Sequence, residues 1–169
     1  MATIVPVRSP EQLSAVRGLF AEYVSWLGID LSYQNFATEF AELPWHYAPP
    51  RGELLLALED GVAAGCVAVK PIEGDACEFK RFFVRPSFRG RGLGLALGRA
   101  IVSEARRIGY RRMRLDTLPS MKAAVAVYVS LGFKPIEAYH PTPVPGTIFM
   151  ELDLRDSGNG GIRRRERVC

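Results

Sequence analysis

The stretch RPSFRGRGLGLALGRA, residues 85–100, is at once glycine-rich, basic and the start of a helix. It holds four arginines and four glycines in sixteen positions. A glycine-rich turn that leads into a helix can aim several backbone N–H groups at one point, where the positive end of the helix dipole also lies. The segment therefore suggests an anion site, and Arg89 and Arg91 add guanidinium groups that suit phosphate oxygens.

The spacing of the glycines excludes two familiar phosphate sites. A P-loop requires G-x-x-x-x-G-K-[ST], and no glycine of this chain is followed by a lysine. A dinucleotide fingerprint requires G-x-G-x-x-G, but counting from Gly90 or Gly92 puts a leucine at the last position. A pyrophosphate cradle and a flexible basic turn then fit the residues about equally well.

The composition predicts one globular domain. The chain has 169 residues, of which 48% are hydrophobic and 24% charged. No apolar run approaches the length of roughly 20 residues that a membrane helix needs, and residues 1–10 lack the pattern of a signal peptide, so we expect a cytoplasmic protein without a membrane partner. Three cysteines without C-x-x-C spacing fit neither a disulfide framework nor a zinc site, and no metal is expected. Cys66 and Cys77 are expected in the core.

The positive charge is concentrated at the carboxyl end. Residues 155–169 contain five arginines and two acids, which accounts for +3 of the net charge of +4. Because this segment is glycine-rich and almost free of apolar side chains, we expect a disordered tail after a domain that spans residues 1–154. A solvated tail explains its arginines more simply than an RNA contact does, so a nucleic-acid partner is not expected.

The periodicity of the apolar residues predicts a mixed α/β chain. The predicted helices are one capped by Ser9 and ended by Gly28, and others over 32–42, 95–109 and 121–131, the last with Ser120 as a candidate cap. The predicted strands are 3–7, 53–59, 62–70, 76–84, 113–118, 133–140 and 147–154, and Asp60-Gly61 forms a hairpin turn between the second and the third.

Two ordered motifs resemble one family. VRPSFRGRGLG at residues 84–94 resembles the V-x-P-x-[YF]-R-G-x-G-[IL]-G signature of the GNAT superfamily of N-acetyltransferases, and YVSLGF at 128–133 resembles its Y-x-x-L-G-F segment. The resemblance covers residues 53–153 and is closest to small bacterial-type members. It implies a mixed, twisted, mostly antiparallel sheet of about six or seven strands with a splayed central pair, flanked by about four helices.

The resemblance also implies acetyl-CoA as the co-substrate and a small-molecule amine as the acceptor. Pyrophosphate binding would fall to Arg89, Gly90, Arg91, Gly92, Leu93 and Gly94. The pantetheine arm would lie along the strand at Phe82, Phe83 and Val84, as if it were an added strand. Ala124 keeps the small residue that lets a helix approach the coenzyme. Met121 stands where family members often carry an asparagine that assists coenzyme binding.

Tyr128 takes the position of the family's frequent general acid, which protonates the departing sulfur and lies close to the coenzyme. The ordinary pKa values of a phenol and a thiol are close enough for this transfer. Tyr128 also shares one helical face with apolar side chains, so a plain core position is the alternative: Met121, Ala124, Val125 and Leu131.

The general base is proposed to be Glu78, on the strand that leads to the glycine loop. A structural ion pair of Glu78, either with Lys80 or across the strands, is an equally good interpretation, and Asp116 is another candidate for the base or for a helix cap. His46 and His140 lie in proline-rich segments and are expected to be solvated loop residues. Unless a bulge intervenes, alternation puts four strand side chains on one face: Glu78, Lys80, Phe82 and Val84.

The acceptor cannot be identified from these residues. Aromatic side chains of the first fifty residues, together with a Tyr139-His140-Pro141 loop, could line a cleft for a small amine: Trp26, Tyr33, Phe36, Trp45 and Tyr47. A coenzyme A or metabolite sensor of the same fold without turnover is the alternative function. Whether the chain forms a homodimer is left open.

Overall fold

The computed structural model describes residues 1–155, which form one seven-stranded sheet with helices on both faces. The predicted tail lies outside the described residues, apart from Arg155. The strands are β1 (Ala2–Pro6), β2 (Glu53–Glu59), β3 (Val62–Pro71), β4 (Ala76–Val84), β5 (Arg112–Thr117), β6 (Lys134–Ile136) and β7 (Ile148–Asp153). The helices are α1 (Pro10–Leu27), α2 (Phe36–Ala41), α3 (Leu93–Ile108) and α4 (Lys122–Leu131). Among residues 1–155, none of the helices combines the length and the apolar composition that crossing a membrane requires.

The sheet is mixed and mostly antiparallel, as predicted. Its strand order is β1-β2-β3-β4-β5-β7-β6, and β4 with β5 is the parallel pair. That pair is joined only from Ala76 opposite Arg112 to Glu78 opposite Arg114. Because β4 continues to Val84 without β5 beside it, the two central strands diverge and leave one edge of β4 unpaired.

Two hydrophobic layers enclose the sheet. Helix α1 covers one face, where Val16, Leu19 and Phe20 are buried against side chains of β2 and β3. Helices α3 and α4 cover the other face, where Leu97, Ile101 and Tyr128 join the second layer. Cys66 and Cys77 are both fully buried, one in each layer, as expected.

The ends of α1 follow the sequence signals. The Ser9 hydroxyl accepts from the Gln12 amide nitrogen at 3.1 Å, and the Gln12 side chain accepts from the Ser9 amide nitrogen at 3.0 Å. Gly28 ends the helix in the left-handed region, with φ of 67°. This reciprocal capping box fixes where α1 begins, and hence which face it presents to the sheet.

The helix predicted over 32–42 is broken into two pieces. Residues Ser32–Gln34 form a short 3-10 turn, Asn35 adopts a left-handed conformation with φ of 59°, and α2 follows. Asparagine tolerates this conformation better than most residues, and its side-chain oxygen here accepts from the Thr38 hydroxyl at 3.0 Å. The break turns Gln34 towards the sheet, where it contacts two cationic side chains of β4.

A bulge interrupts β4. Lys80 lies opposite Ala68 and Phe83 opposite Cys66, so that Arg81 and Phe82 together face one residue of β3. Arg81 has φ of 55°, in the left-handed region. The extra residue resets the alternation of side chains, because two residues on the bulged strand oppose one on its partner.

The bulge divides the side chains of β4 between the two faces. Phe82 and Val84 pack on the α3 face, whereas Lys80 and Phe83 belong to the face of α1 and α2. A single face for Glu78, Lys80, Phe82 and Val84 was expected only without a bulge, and this bulge separates Glu78 and Lys80 from Phe82 and Val84. Gly65 allows β3 to approach this irregularity, since a Cβ there would lie 2.6 Å from the Phe83 carbonyl oxygen.

Two further predictions fail near the carboxyl end. The strand expected over 133–140 ends at Ile136, because the following residues fold back over β5 and β7 instead of extending the sheet. The amino end of α4 has no side-chain cap, and its cap position is occupied by Met121 instead of Ser120.

Candidate functional site

A cavity of about 390 Å³ lies between the unpaired end of β4, the glycine turn and the first turn of α4. Nearly all the residues predicted to bind the coenzyme line it: Phe82, Phe83, Val84, Arg89, Gly90, Gly92, Leu93, Gly94 and Ala124. Trp26 of α1 completes the wall, although it was expected near the acceptor. Because these residues come from four separate parts of the chain, the cavity is a product of the fold and not of the glycine turn alone. We refer to it as the coenzyme-side cavity.

The glycine turn presents open backbone to this cavity. Gly90 and Gly92 have φ values of 78° and 80°, and Gly92 is the cap residue of α3 without a side-chain cap. A Cβ added to either glycine would meet no protein atom within 4 Å. The N–H groups of the first turn of α3 have no intrahelical partner, which is the general condition of a helix start. The turn can therefore accept a bulky anion such as a pyrophosphate.

The two arginines of the turn have different surroundings. The Nε atom of Arg89 donates to the Val84 carbonyl oxygen at 2.9 Å, and its guanidinium carbon lies 4.7 Å from the centre of the Trp26 ring. Arg91 is exposed, stacks over Phe88 at 5.4 Å and lies outside the lining of the cavity. The structure thus places Arg89 on the wall of the cavity and Arg91 outside its lining.

Tyr128 lies in an aromatic cluster on α4. Its ring centre is 5.3 Å from that of Phe79 and 5.9 Å from those of Phe82 and Phe133. Burial raises the pKa of Tyr128 well above its usual range, so the hydroxyl keeps its proton. Within residues 1–155 this hydroxyl has no hydrogen-bond partner. Tyr128 does not line the coenzyme-side cavity. Core position and proton donor are therefore compatible descriptions of this residue.

A small cavity of about 40 Å³ occupies the point where β4 and β5 diverge. Tyr128, Arg81 and Asp116 line it. It shares Phe82 and Met121 with the coenzyme-side cavity, and it shares Gln34 and Lys80 with a larger cavity on the opposite face of the sheet. We call this small cavity the junction, because it has walls in common with both larger ones.

The cavity on the opposite face has a volume of about 490 Å³ and a charged lining. Tyr33 and Trp45 line it as expected, and so does the Tyr139-His140-Pro141 segment. The remaining aromatic candidates do not: Tyr47 is buried in the core, and Phe36 of α2 packs against the same cluster. Its other walls are Gln34, Glu39, Lys70, Ile72, Glu73, Glu78, Lys80 and Arg114. We refer to it as the acceptor-side cavity.

Glu78 lies at the last pair of residues before the strands diverge. The Tyr139 hydroxyl donates to its Oε2 atom at 2.6 Å, and the Lys70 and Lys80 ammonium groups lie 3.6 and 3.7 Å from its Oε1 atom. Burial raises the pKa of Glu78, but Lys80, the Tyr139 hydrogen bond and Lys70 together outweigh it, so the pKa is lowered. Glu78 is therefore ionised at neutral pH, and the structure contains both the predicted ion pair with Lys80 and a carboxylate at the proposed site of the base.

His140 is held inside the site, contrary to the expectation of a solvated loop residue. Its Nε2 atom lies 2.6 Å from Oδ2 of Asp116, and its Nδ1 atom 2.8 Å from the Pro141 carbonyl oxygen. The ring also packs against Phe149, 5.0 Å from centre to centre. His46 is exposed, as expected. Asp116 does not cap α4, whose amino end lacks a side-chain cap.

Glu78, Asp116 and His140 are close enough to hold a metal ion by spacing alone, since one ligand atom from each lies within 4.8 Å of the others. The surrounding charge argues against this use. Lys70 and Lys80 already compensate Glu78, and a divalent cation would be repelled by both ammonium groups. The short contacts to Tyr139 and to Asp116 explain the cluster as a hydrogen-bond network instead.

Sequence reasoning missed Gln34, Lys70 and Arg114 as residues of the site. A signal existed for Lys70, because it lies directly opposite Glu78 in the register of β3 with β4. Alternation along two neighbouring strands could have paired them. No comparable signal existed for Gln34, whose position depends on the break at Asn35.

Comparisons with known proteins agree with this geometry. The sequence model described as "Acetyltransferase (GNAT) family" matches residues 19–133. An uncharacterized N-acetyltransferase of Schizosaccharomyces pombe is 40% identical over 90% of this chain and 94% of its own length. N-acetylaspartate synthetase of Danio rerio is 32% identical over 75% of this chain and 46% of its own length. The PaiA N-acetyltransferase of Thermoplasma acidophilum, solved with coenzyme A, superposes with a TM-score of 0.71 at 18% identity, covering 90% of this chain and 99% of that one.

Proposed function

Because the chain belongs to the GNAT family of acetyltransferases, we propose that it transfers an acetyl group from acetyl-CoA directly to the amine of a small molecule. The observation that carries this proposal is the pair of cavities on opposite faces of the sheet, which share walls with the junction between β4 and β5. Direct transfer requires the thioester and the amine to meet in one place, and two approaches to one gap supply that arrangement.

The coenzyme is proposed to bind along the coenzyme-side cavity. Its pyrophosphate would accept hydrogen bonds from the first turn of α3, next to Arg89. The pantetheine arm would lie along the edge of β4 that β5 leaves unpaired after Glu78, near Phe82, Phe83 and Val84. This placement brings the thioester to the junction.

In the proposed reaction, the neutral amine attacks the thioester carbonyl carbon, a C–N bond forms, and the C–S bond breaks. The sulfur takes a proton from the Tyr128 hydroxyl, and the amine gives up a proton to Glu78, directly or through a water molecule. Tyr128 borders the junction, and Glu78 lies on the acceptor face at its edge. Burial favours the protonated form of Tyr128, which is the form a donor needs.

Asp116 with His140 is the second candidate for the base, since Asp116 lines the junction itself. The two candidates can be separated by measuring kcat as a function of pH for a variant of each. If Glu78 is the base, Glu78→Gln lowers kcat at all pH values while Asp116→Asn largely keeps it. The opposite ranking would assign the base to Asp116 and His140.

A coenzyme-binding sensor without turnover is the competing function, and Met121 on the wall of both the coenzyme-side cavity and the junction is the observation that favours it. Calorimetry with acetyl-CoA, followed by a thiol-release assay over a panel of amines, tests the two. An acetyltransferase binds acetyl-CoA and releases the thiol with at least one amine far above the rate with water. Binding without release from any amine would indicate the sensor.

A further inference from the structure

Two ammonium groups in the acceptor-side cavity share a single carboxylate. Lys70 on β3 and Lys80 on β4 have exposed side-chain fractions of only 19% and 10%, and their nitrogens lie 3.6 and 3.7 Å from the same oxygen of Glu78. The other carboxylate oxygen of Glu78, Oε2, accepts a hydrogen bond from the Tyr139 hydroxyl. One negative charge set against two positive charges leaves one ammonium group without a compensating anion.

The other cationic side chains around the cavity have carboxylate partners of their own. The Nε and Nη2 atoms of Arg81 donate to the two carboxylate oxygens of Glu39, at 2.7 and 2.8 Å, and both side chains are buried.

Arg114, the other cationic side chain of the lining, also has carboxylate partners of its own. Arg114 donates to Glu151 at 2.8 Å and to the exposed Glu73 at 3.3 Å. His140 contacts Asp116. Lys70 and Lys80 thus remain as the two cationic side chains that share one carboxylate, that of Glu78.

Lys80 has unused hydrogen-bonding capacity. Its nitrogen donates to Oε1 of Gln34 at 2.9 Å, and the same oxygen also accepts from Arg81. Among residues 1–155 no second acceptor lies within hydrogen-bond distance, although an ammonium group has three donors. Burial and the neighbouring Arg81 lower the pKa of Lys80, and the nearby carboxylates, Glu78 foremost, only partly offset them. A bound anion would supply both the missing charge and the missing acceptors.

We propose that Lys70 and Lys80 bind a carboxylate of the acceptor, so that the acceptor is a small amino acid and not a polyamine or a simple amine. This inference rests on the proposed function, since it names the substrate class of the same site. Lys80 and Gln34 also wall the junction, so a carboxylate bound there leaves the amine of a small amino acid within reach of the acetyl group. A polycationic acceptor would meet two ammonium groups on the cavity wall.

The test compares each of several amino acids with its own amide in the thiol-release assay. The amide lacks the negative carboxylate that raises the pKa of the neighbouring amine, so more of its amine is neutral at pH 7.5. If the site did not recognise a carboxylate, the amide would therefore react faster than the amino acid. We expect kcat/KM for the preferred amino acid to exceed that of its amide at least tenfold. Phosphoethanolamine is included as an amine that carries a phosphate instead.

Lysine variants localise the effect. Lys70→Gln and Lys80→Gln are expected to lower kcat/KM for the amino acid at least tenfold more than for the amide, mainly through KM, while the Kd for acetyl-CoA stays unchanged. Lys80→Arg should restore part of the loss. Lys134→Gln, on an exposed residue of β6, is the matched control and should have no effect. An unchanged acetyl-CoA Kd also shows that each variant is folded.

The outcomes separate this inference from the proposed function. If acetyl-CoA fails to bind, the proposed function fails. In a second outcome, acetyl-CoA binds while thiol is released as fast with amides, simple amines or phosphoethanolamine as with amino acids, or faster. That result overturns the inference and leaves the acetyltransferase function standing. If no amine releases thiol, calorimetry of amino acids with the coenzyme A complex decides. Amino acid binding that becomes tenfold weaker in Lys70→Gln supports the carboxylate site. If no amino acid binds, or if the variant binds as tightly as the parent, the carboxylate site is overturned.

Discussion

Substituting aspartate for Gly92 tests the anion site at the start of α3. Gly92 lines the coenzyme-side cavity, has φ of 80°, and offers open space to an added Cβ. A left-handed conformation costs a non-glycine residue roughly 1–2 kcal/mol, and the cost for aspartate lies towards the low end of that range. An acidic side chain at the amino end of a helix stabilises the helix by about 0.3–1 kcal/mol, which offsets part of this cost. We therefore expect Gly92→Asp to fold, with a stability within about 1 kcal/mol of the parent.

The effect on acetyl-CoA binding should be much larger. Two unit charges at a separation of about 4 Å repel by roughly 4 kcal/mol at an effective dielectric constant of 20, which sets the scale for a carboxylate in contact with the pyrophosphate. Since each 1.4 kcal/mol is a factor of about ten in Kd, affinity should fall by about two to three orders of magnitude.

Two variants make this measurement specific. Gly92→Asn has nearly the same shape without the charge, and asparagine also tolerates a left-handed conformation, so it should keep most of the affinity. Gly61→Asp introduces the same residue at a comparable φ of 81°, with no protein atom within 4 Å, in the turn between β2 and β3. Isothermal titration with acetyl-CoA gives all the values. A Kd for Gly92→Asp within threefold of the parent would refute the anion site, and equal losses for the Asp and Asn variants would refute the electrostatic explanation.

The remaining predictions concern catalysis and stability. Tyr128→Phe should lower kcat by about a hundredfold or more while KM changes little, and an unaltered kcat in steady-state assays would leave Tyr128 as a core residue only. Glu39→Gln should lower the free energy of unfolding by about 3–5 kcal/mol, because it leaves Arg81 buried without its partner. Glu22→Gln breaks a similar but more exposed pair and should cost about 1 kcal/mol or less in urea titrations, so equal losses would contradict the importance of burial. Gly65→Ala should cost about 1–3 kcal/mol, because its Cβ would meet a backbone carbonyl at 2.6 Å, and an unchanged Tm would show that the strands can separate there.

Features specified by neighbouring residues could be predicted from the sequence. The bounds of β4 at Ala76–Val84 match the prediction, and Asp60 and Gly61 form the hairpin turn with φ values of 49° and 81°. Both cases depend on short-range rules, namely alternation of side chains and the need for left-handed residues in a tight turn. The start of α3 at Leu93, two residues earlier than predicted, remains within the usual uncertainty of helix ends.

Features that depend on long-range contacts could not be predicted. Nothing next to Arg81 in the chain announces a left-handed arginine inside a strand, because its conformation is stabilised by Glu39, forty-two positions away. The position of His140 likewise depends on Asp116 and on the Phe149 ring. Such arrangements appear only when the sheet has brought distant segments together, so the coenzyme side of the site was more predictable than the acceptor side.

The bulge in β4 explains how one strand can contribute to both cavities. An unbroken strand would direct Glu78, Lys80, Phe82 and Val84 to the same face, and the acceptor-side charges would then lie beside the coenzyme. With one extra residue, Phe82 and Val84 line the coenzyme-side cavity while Glu78 and Lys80 line the acceptor-side cavity. Arg81 is the residue that adopts the unfavourable conformation, and its paired contacts with Glu39 and Gln34 hold it there. The Arg81–Glu39 pair therefore does more than stabilise the fold, because it maintains the separation of the two cavities on which the proposed acetyl transfer depends.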